Sequence, residues 1–286
     1  MNSGSQTDAR VIPGRIWDAR ANAFVTRAAL MRAADKADVV LLGETHDNRE
    51  HHRLQREVLE SIVATGRRPA LVMEQFDREY QGALDAERVR GGRTADSVLA
   101  AGHFNRRGWQ VEGYRPLVEV ALEAGLPIVA ANLSRDDARA IVRDPARVAL
   151  PPVNPSVEQA LAADIDHSHC GETTPKAILT GMVAAQRARD VGMAQVLEQQ
   201  AARGAVLIAG VGHVRADRGA PLYMKQRPLV IAFMEVDEER NTLHDYFDRE
   251  FATEASFDYA WFTARAERTD PCAEPPALPG QSAPAS

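Results

Sequence analysis

Residues 39–52, VVLLGETHDNREHH, set an unbroken apolar run directly against Glu44, His46, Asp47, Glu50, His51 and His52. A continuous run of β-branched and leucine side chains, with no polar alternation, is the pattern of a strand buried on both faces. Such strands belong to parallel sheets covered by helices on each side. The polar residues after Gly43 then mark the strand's exit and the start of a helix. Asp47 and Asn48, at that start, read as capping residues. Glu50, His51 and His52, one turn further on, read as a solvated helix face rather than a metal site.

The same kind of run recurs along the chain. Strands are expected at 38–44, 69–75 (PALVMEQ), 127–132 (PIVAAN), 205–213 (AVLIAGVGH) and 228–236 (PLVIAFMEV). Residues 257–264, FDYAWFTA, alternate better and point to an antiparallel edge strand. Helical periodicity fills 48–65, 77–90, 114–125 and a long stretch near 174–202, and Gly66, Gly125 and Gly204 are placed to close helices before the next strand. Strand followed by helix, repeated, implies right-handed crossovers. The expected fold class is α/β, with a largely parallel central sheet flanked by helices, a helical insertion at about 134–202 and an antiparallel edge strand. One domain is expected over 14–269, between a polar, flexible segment 1–13 and a Pro/Ala-rich tail 270–286 that cannot repay the entropy of ordering.

Composition narrows the function. The 286 residues carry a net charge of -6, with Lys and Arg scattered rather than massed, so no nucleic-acid partner is expected. No run reaches the roughly 20 apolar residues of a membrane span. The start has neither the basic and apolar regions of an export signal nor a cysteine for lipidation. Cys170 and Cys272 are the two cysteines. They are too few for a zinc cluster, and a disulfide between them would close a long loop and indicate an oxidising compartment.

Four of the apolar runs end in polar residues: Glu44 and His46, Glu74 and Gln75, Asn132, and His213 with Arg215. In a parallel sheet these exits share one edge, where ligands bind, so the polar ends are expected to converge on a cleft. Familiar motifs fail on spacing. His46, Glu50 and His51 come one residue too far apart for an inverted zinc-protease signature, and the run GVGHVRADRG has Arg215 where a dinucleotide loop needs glycine. Neither a G-x-S-x-G elbow nor a P-loop occurs. His169 and Cys170 are adjacent and do not face each other as base and nucleophile, so a structural or disulfide role is expected of Cys170.

The segments VVLLGETHDNREHHRLQREVL, LVMEQFD, HSHCGETTPKAILTGMVAAQRARDVGMAQVL and VLIAGVGHVRADRGAPLYM together resemble the ChaN family of haem-binding proteins, within the wider Tiki/TraB/erythromycin-esterase superfamily. The resemblance runs in order from about Gly14 to about Cys272. It implies an α/β fold, haem binding linked to iron or haem acquisition, dimerisation around the cofactor, and a receptor or transporter as a further partner. The matching positions are Glu44, His46, Glu74, Arg189, Asp190 and Gly210 through His213. The family is usually lipidated and lies in the cell envelope. The start of this chain departs from that pattern, leaving an altered N-terminus or a cytoplasmic protein as alternatives.

Haem requires an axial Tyr, His, Cys or Met, an apolar slot and cations for its propionates. The resemblance favours a tyrosine, and Tyr223 is the candidate; Tyr114 is read as a core or surface aromatic. His46, His213, His51 and His52 are alternative ligands or hydrogen-bond partners. Met182 and Met193 are candidates for the slot, and Arg189, Arg215 and Arg218 for the propionates. The competing reading is a hydrolase. His46 and His213 with Glu44 or Glu74 would hold a divalent metal and its water. Without metal, His46 would act as the base, Glu74 would orient water and Arg189 would stabilise an oxyanion.

Overall fold

The computed structural model of the protein describes residues 10–92, 94–168, 174–247 and 256–268. In chain order the elements are β1 (Ile16–Asp18), β2 (Ala23–Val25), α1 (Arg27–Lys36), β3 (Val39–Glu44), α2 (Arg49–Ala64), β4 (Ala70–Asp77), α3 (Gln81–Val89), α4 (Ala95–Ala101) and α5 (Val111–Glu123). There follow β5 (Ile128–Asn132), α6 (Arg135–Arg143), α7 (Pro155–Ser168), α8 (Lys176–Gln200), β6 (Ala205–Gly210), α9 (Val211–Val214), β7 (Leu229–Val236), α10 (Leu243–Phe247) and β8 (Tyr259–Ala264). The strands form one sheet in the order β2-β1-β8-β7-β3-β6-β4-β5. From β8 to β5 all neighbours are parallel, and β1 and β2 add an antiparallel pair at one edge.

The expected strands and helices are present, with ends shifted by a few residues. Gly66, Gly125 and Gly204 have φ of +93°, +67° and +90°, the left-handed conformation that ends each helix. Residues 257–264 differ from expectation. The strand there is interior, parallel to β7 and antiparallel to β1. The edge is formed by the three-residue β1 and β2, whose period is too short to read. Its alternation therefore does not reflect an exposed face: Ala260, Trp261 and Phe262 are all buried. The packed structure also begins before Gly14, since Val11 is buried and its N–H donates to Asn241 O at 2.6 Å. Cys170, Cys272, His169 and the tail 270–286 lie outside the described residues. Among the described residues no helix is long and apolar enough to cross a membrane.

Alternation along the buried strands decides what each side of the sheet sees. Val40 and Leu42 of β3 and Leu71 and Met73 of β4 join the core beneath α1, α2, α4 and α5. Val39, Leu41, Ala70 and Val72 join the opposite core, which includes Met193, Val196 and Leu197 of α8. Continued by two, the first set reaches Glu44 and Gln75, and the second reaches Glu74. The two glutamates therefore leave the sheet on opposite faces.

Helix α8 approaches α6 closely at Gly181. A Cβ there would fall 2.1 Å from Val142 O, a backbone atom that cannot swing aside. Gly181→Ala should force the helices apart and cost about 1–3 kcal/mol, the range for overpacking, as measured by chemical denaturation. An unchanged midpoint would show that the contact gives without penalty.

Candidate functional site

Glu44 ends β3 and is fully buried between α2 and α5. Its Oε1 accepts from Tyr114 OH, from His46 Nδ1 at 2.9 Å and from Gln75 Nε2 at 3.4 Å, while Oε2 lies 3.4 Å from His52 Nε2. Burial pushes the carboxyl up, but the hydrogen bond with His46 and the contact with His52 outweigh it and hold the pKa at about 2. Glu44 is therefore an anion that fixes His46 through Nδ1 and leaves Nε2 as the working nitrogen.

On the opposite face, Glu74 Oε2 accepts Gly210 N–H at 2.7 Å and Oε1 lies 3.4 Å from His213 Nε2. His213 Nδ1 is 2.6 Å from Asp190 Oδ1 and 3.2 Å from Gln186 Nε2. Burial opposes a charge on His213, but Glu74 and Asp190 together raise its pKa to about 10. Burial likewise raises Glu74, and the charge and hydrogen bond of His213 overcome it to hold the carboxyl at about 2. Asp190, the more enclosed partner, is held up at about 6 by burial against the pull of His213. The result is a buried cation flanked by two carboxyls.

His46 joins the two halves. Its ring packs edge-on against Trp109, with centroids 4.7 Å apart, and lies directly over Gly210. Burial lowers its pKa, and the hydrogen bond to Glu44 with the charge of Glu74 more than reverses this, so the ring is a stronger base than a free imidazole. With 45% of its side chain exposed, His46 is the solvent-facing member of a group whose other four, Glu44, Glu74, Asp190 and His213, are buried. A Cβ on Gly210 would come within 2.8 Å of His46 Nε2. Gly210→Ala should displace the ring and break its bond to Glu44 at a cost of about 1 kcal/mol, the worth of one such bond. The His46 pKa, followed by NMR titration, should fall toward 6.5; a pKa that stays high would show that the ring has kept its place.

Of the residues at the strand exits, Glu44, His46, Glu74, Gln75 and His213 lie together in one group, all but His46 buried. Asn132 turns back on its own chain, accepting Leu133 N–H at 2.8 Å. Arg215 is buried away from the group, paired with Asp217 and donating to Ser256 Oγ. Arg218 pairs with Asp164 and Asp217. The solvated face expected at His51 and His52 is corrected, because both are buried. His51 Nδ1 accepts Thr45 N–H and Nε2 meets Thr263 Oγ1 at 2.8 Å, and burial drives its pKa to about 4. Asn48 does cap α2, accepting from the N–H groups of Glu50 and His51, but Asp47 pairs with Arg268. Met193 is fully buried in the core. Among the described residues no group of three or more His, Cys, Asp and Glu has the geometry to hold a metal ion.

Tyr223 stands apart from this group, in the short helical turn Ala220–Tyr223, on the wall of a cavity of about 440 Å³. Pro151, Pro152, Val153 and Leu222 supply apolar lining and Lys225 a cation. Arg187, buried on α8, donates from Nε to Tyr223 OH at 3.1 Å and is itself held by Glu158 and Pro151 O. Burial raises the phenol pKa, and Arg187 opposes that. Arg187 was missed in the sequence, although helical spacing from Asp190 puts the two on one face of α8. Arg189 and Met182 fall on another face and line a separate cavity.

No curated protein matches the chain. A solved structure described as cofacial heme binding to ChaN of Campylobacter jejuni aligns with a TM-score of 0.70 at 22% identity, covering 86% of this chain and 95% of the other. The type III effector HopBA1 aligns with a TM-score of 0.44 at 14% identity, over 83% of this chain and 92% of the other. RRSP, a toxin effector domain from Vibrio vulnificus, also reaches 0.44, at 16% identity over 78% of this chain and 38% of the other. The family model described as haem-binding uptake, Tiki superfamily, ChaN matches residues 30–224, and the chain belongs to that family.

Proposed function

We propose that this protein binds haem in the Tyr223 cavity and serves haem uptake or handling. The observation that carries this reading is the Arg187–Tyr223 pair. A tyrosine can ligate haem iron, and a phenolate in a half-buried site needs a cation to stabilise it. Arg187 donates to the oxygen concerned at 3.1 Å and is fixed there by two further acceptors. The donor set fits the group: a phenol oxygen, an apolar wall and, in Lys225, a cation that would pair with a propionate. Bound iron would supply Lewis acidity at the phenol oxygen, and Arg187 would stabilise the negative charge as the phenol proton leaves. Leu222, exposed beside Tyr223, supports a homodimer that covers the cofactor. A delivering receptor or transporter and a place in the cell envelope go with the uptake role. Titration of the purified protein with haemin should give a saturable Soret shift with a defined stoichiometry. Absorbance that rises only as the free pigment does would overturn the reading.

A second reading rests on His46, whose Nδ1 is held by Glu44 while its ring faces Gly210 and Glu74. This is the arrangement of an oriented base, and it supports metal-free hydrolysis with Glu74 positioning water. The divalent-metal version has no cluster behind it among the described residues. His46→Ala and Glu74→Gln should each abolish turnover in an ester or peptide screen while the circular dichroism spectrum stays native. Wild-type turnover in both would remove this reading.

A further inference from the structure

We infer that the cavity between α6, α7 and α8 is a second ligand site, built to hold a small amphipathic anion. It has a volume of about 370 Å³ and is walled by Arg135, Arg139 and Arg189, with Val142, Ile165 and Met182 as apolar lining. The proposal goes beyond haem binding and stands without it. Small-molecule sites combine a concave, partly apolar surface with a few polar groups, and the lining supplies both. None of the described lining residues is a carboxylate, so three arginines line one cavity without a counter-ion in its wall. Among the described residues Arg139 has a 3.6 Å contact with Asp136, a side chain almost wholly in solvent, and such pairs neutralise little. Asp77 and Asp190 draw on the field of Arg189 from outside the lining. A carboxylate or phosphate entering the cavity would supply the counter-charge and accept paired N–H bonds, while its hydrocarbon part covers Met182 and Val142.

The position gives the site a consequence. Gln186 lines the cavity and also reaches His213 Nδ1 at 3.2 Å. An occupant would therefore sit one side chain from the buried His213–Asp190–Glu74 group.

Calorimetric titration with decanoate, decyl phosphate and decanol tests this. The wild-type protein should bind at least one of the two anions at least tenfold more tightly than decanol, and the stronger of the two identifies the headgroup. Arg135→Gln combined with Arg139→Gln, two exposed positions that spare the fold, should weaken anion binding at least tenfold, and Arg189→Gln should do the same. Tyr223→Phe should leave it unchanged. Decanol binding as tightly as the anions, or equal anion binding by the arginine variants, would overturn the proposal. A parallel loss of anion binding in Tyr223→Phe would merge the two cavities into one site and overturn it equally.

Discussion

Tyr223→Phe should weaken haemin binding at least tenfold and move the Soret maximum, because it deletes the oxygen that Arg187 holds while keeping the ring in its cavity wall. The change removes one hydroxyl on a half-buried side chain, so the fold should be left intact, with stability altered by about 1 kcal/mol, the usual worth of one hydrogen bond. Arg187→Gln should also weaken binding, and it should cost stability as well, since Arg187 is buried and bonded to Glu158 and Pro151 O. The pair is informative because only the first separates ligation from folding. An unchanged spectrum and affinity in Tyr223→Phe would remove the ligand assignment and turn attention to His46, the exposed member of the other group.

His213→Ala should unfold at markedly lower denaturant than wild type, with a loss of about 3–5 kcal/mol, the range for breaking a buried ion pair. It strips the cation from between Glu74 and Asp190, leaving two buried carboxyls facing each other. At about 2–4 °C per kcal/mol for a domain of this size, the melting temperature should drop on the order of 10 °C. A loss below about 1 kcal/mol would mean that the carboxyls find other partners.

The same group sets a pH dependence. His213 holds its proton more tightly folded than unfolded, so its stabilisation is complete below pH 6.5 and is lost as pH climbs through about 10. Asp190 slopes the same way between 3.8 and about 6. Glu44 and Glu74 act in reverse: their stabilisation is complete above pH 4.5 and is lost as pH falls toward about 2. Thermal melts should therefore peak between about pH 4.5 and 6.5 and decline toward pH 10. In His213→Ala the alkaline decline should largely vanish. A wild-type melting temperature that is flat from pH 6.5 to 10 would remove the charged form of His213.

How far the sequence could be read follows from the range of the forces involved. Strands such as β3 and β6 were legible because burial on both faces demands a continuous apolar run, a property of six neighbouring residues. The misreadings came where a residue's surroundings are supplied from far along the chain. His51 and His52 follow a helix start and look solvated in sequence, yet α2 turns them inward, toward Thr263 and Glu44. The strand at 259–264 looked like an edge because β1, which covers its open side, lies about 240 residues away and has three residues.

A parallel sheet, helices that end at Gly66, Gly125 and Gly204, and polar residues at the strand exits can all be read from short stretches of the chain. These follow from local backbone preference and the period of apolar side chains. That Glu44 and Glu74 leave the sheet on opposite faces, with His46 between them over Gly210, emerges only once the chain is packed. So do the pairings of Asp190 with His213 and of Arg187 with Tyr223. Those pairings depend on the register of strands and the rotation of α8 against the sheet. Both are set by how the two cores pack, a sum over the whole chain that no short stretch contains.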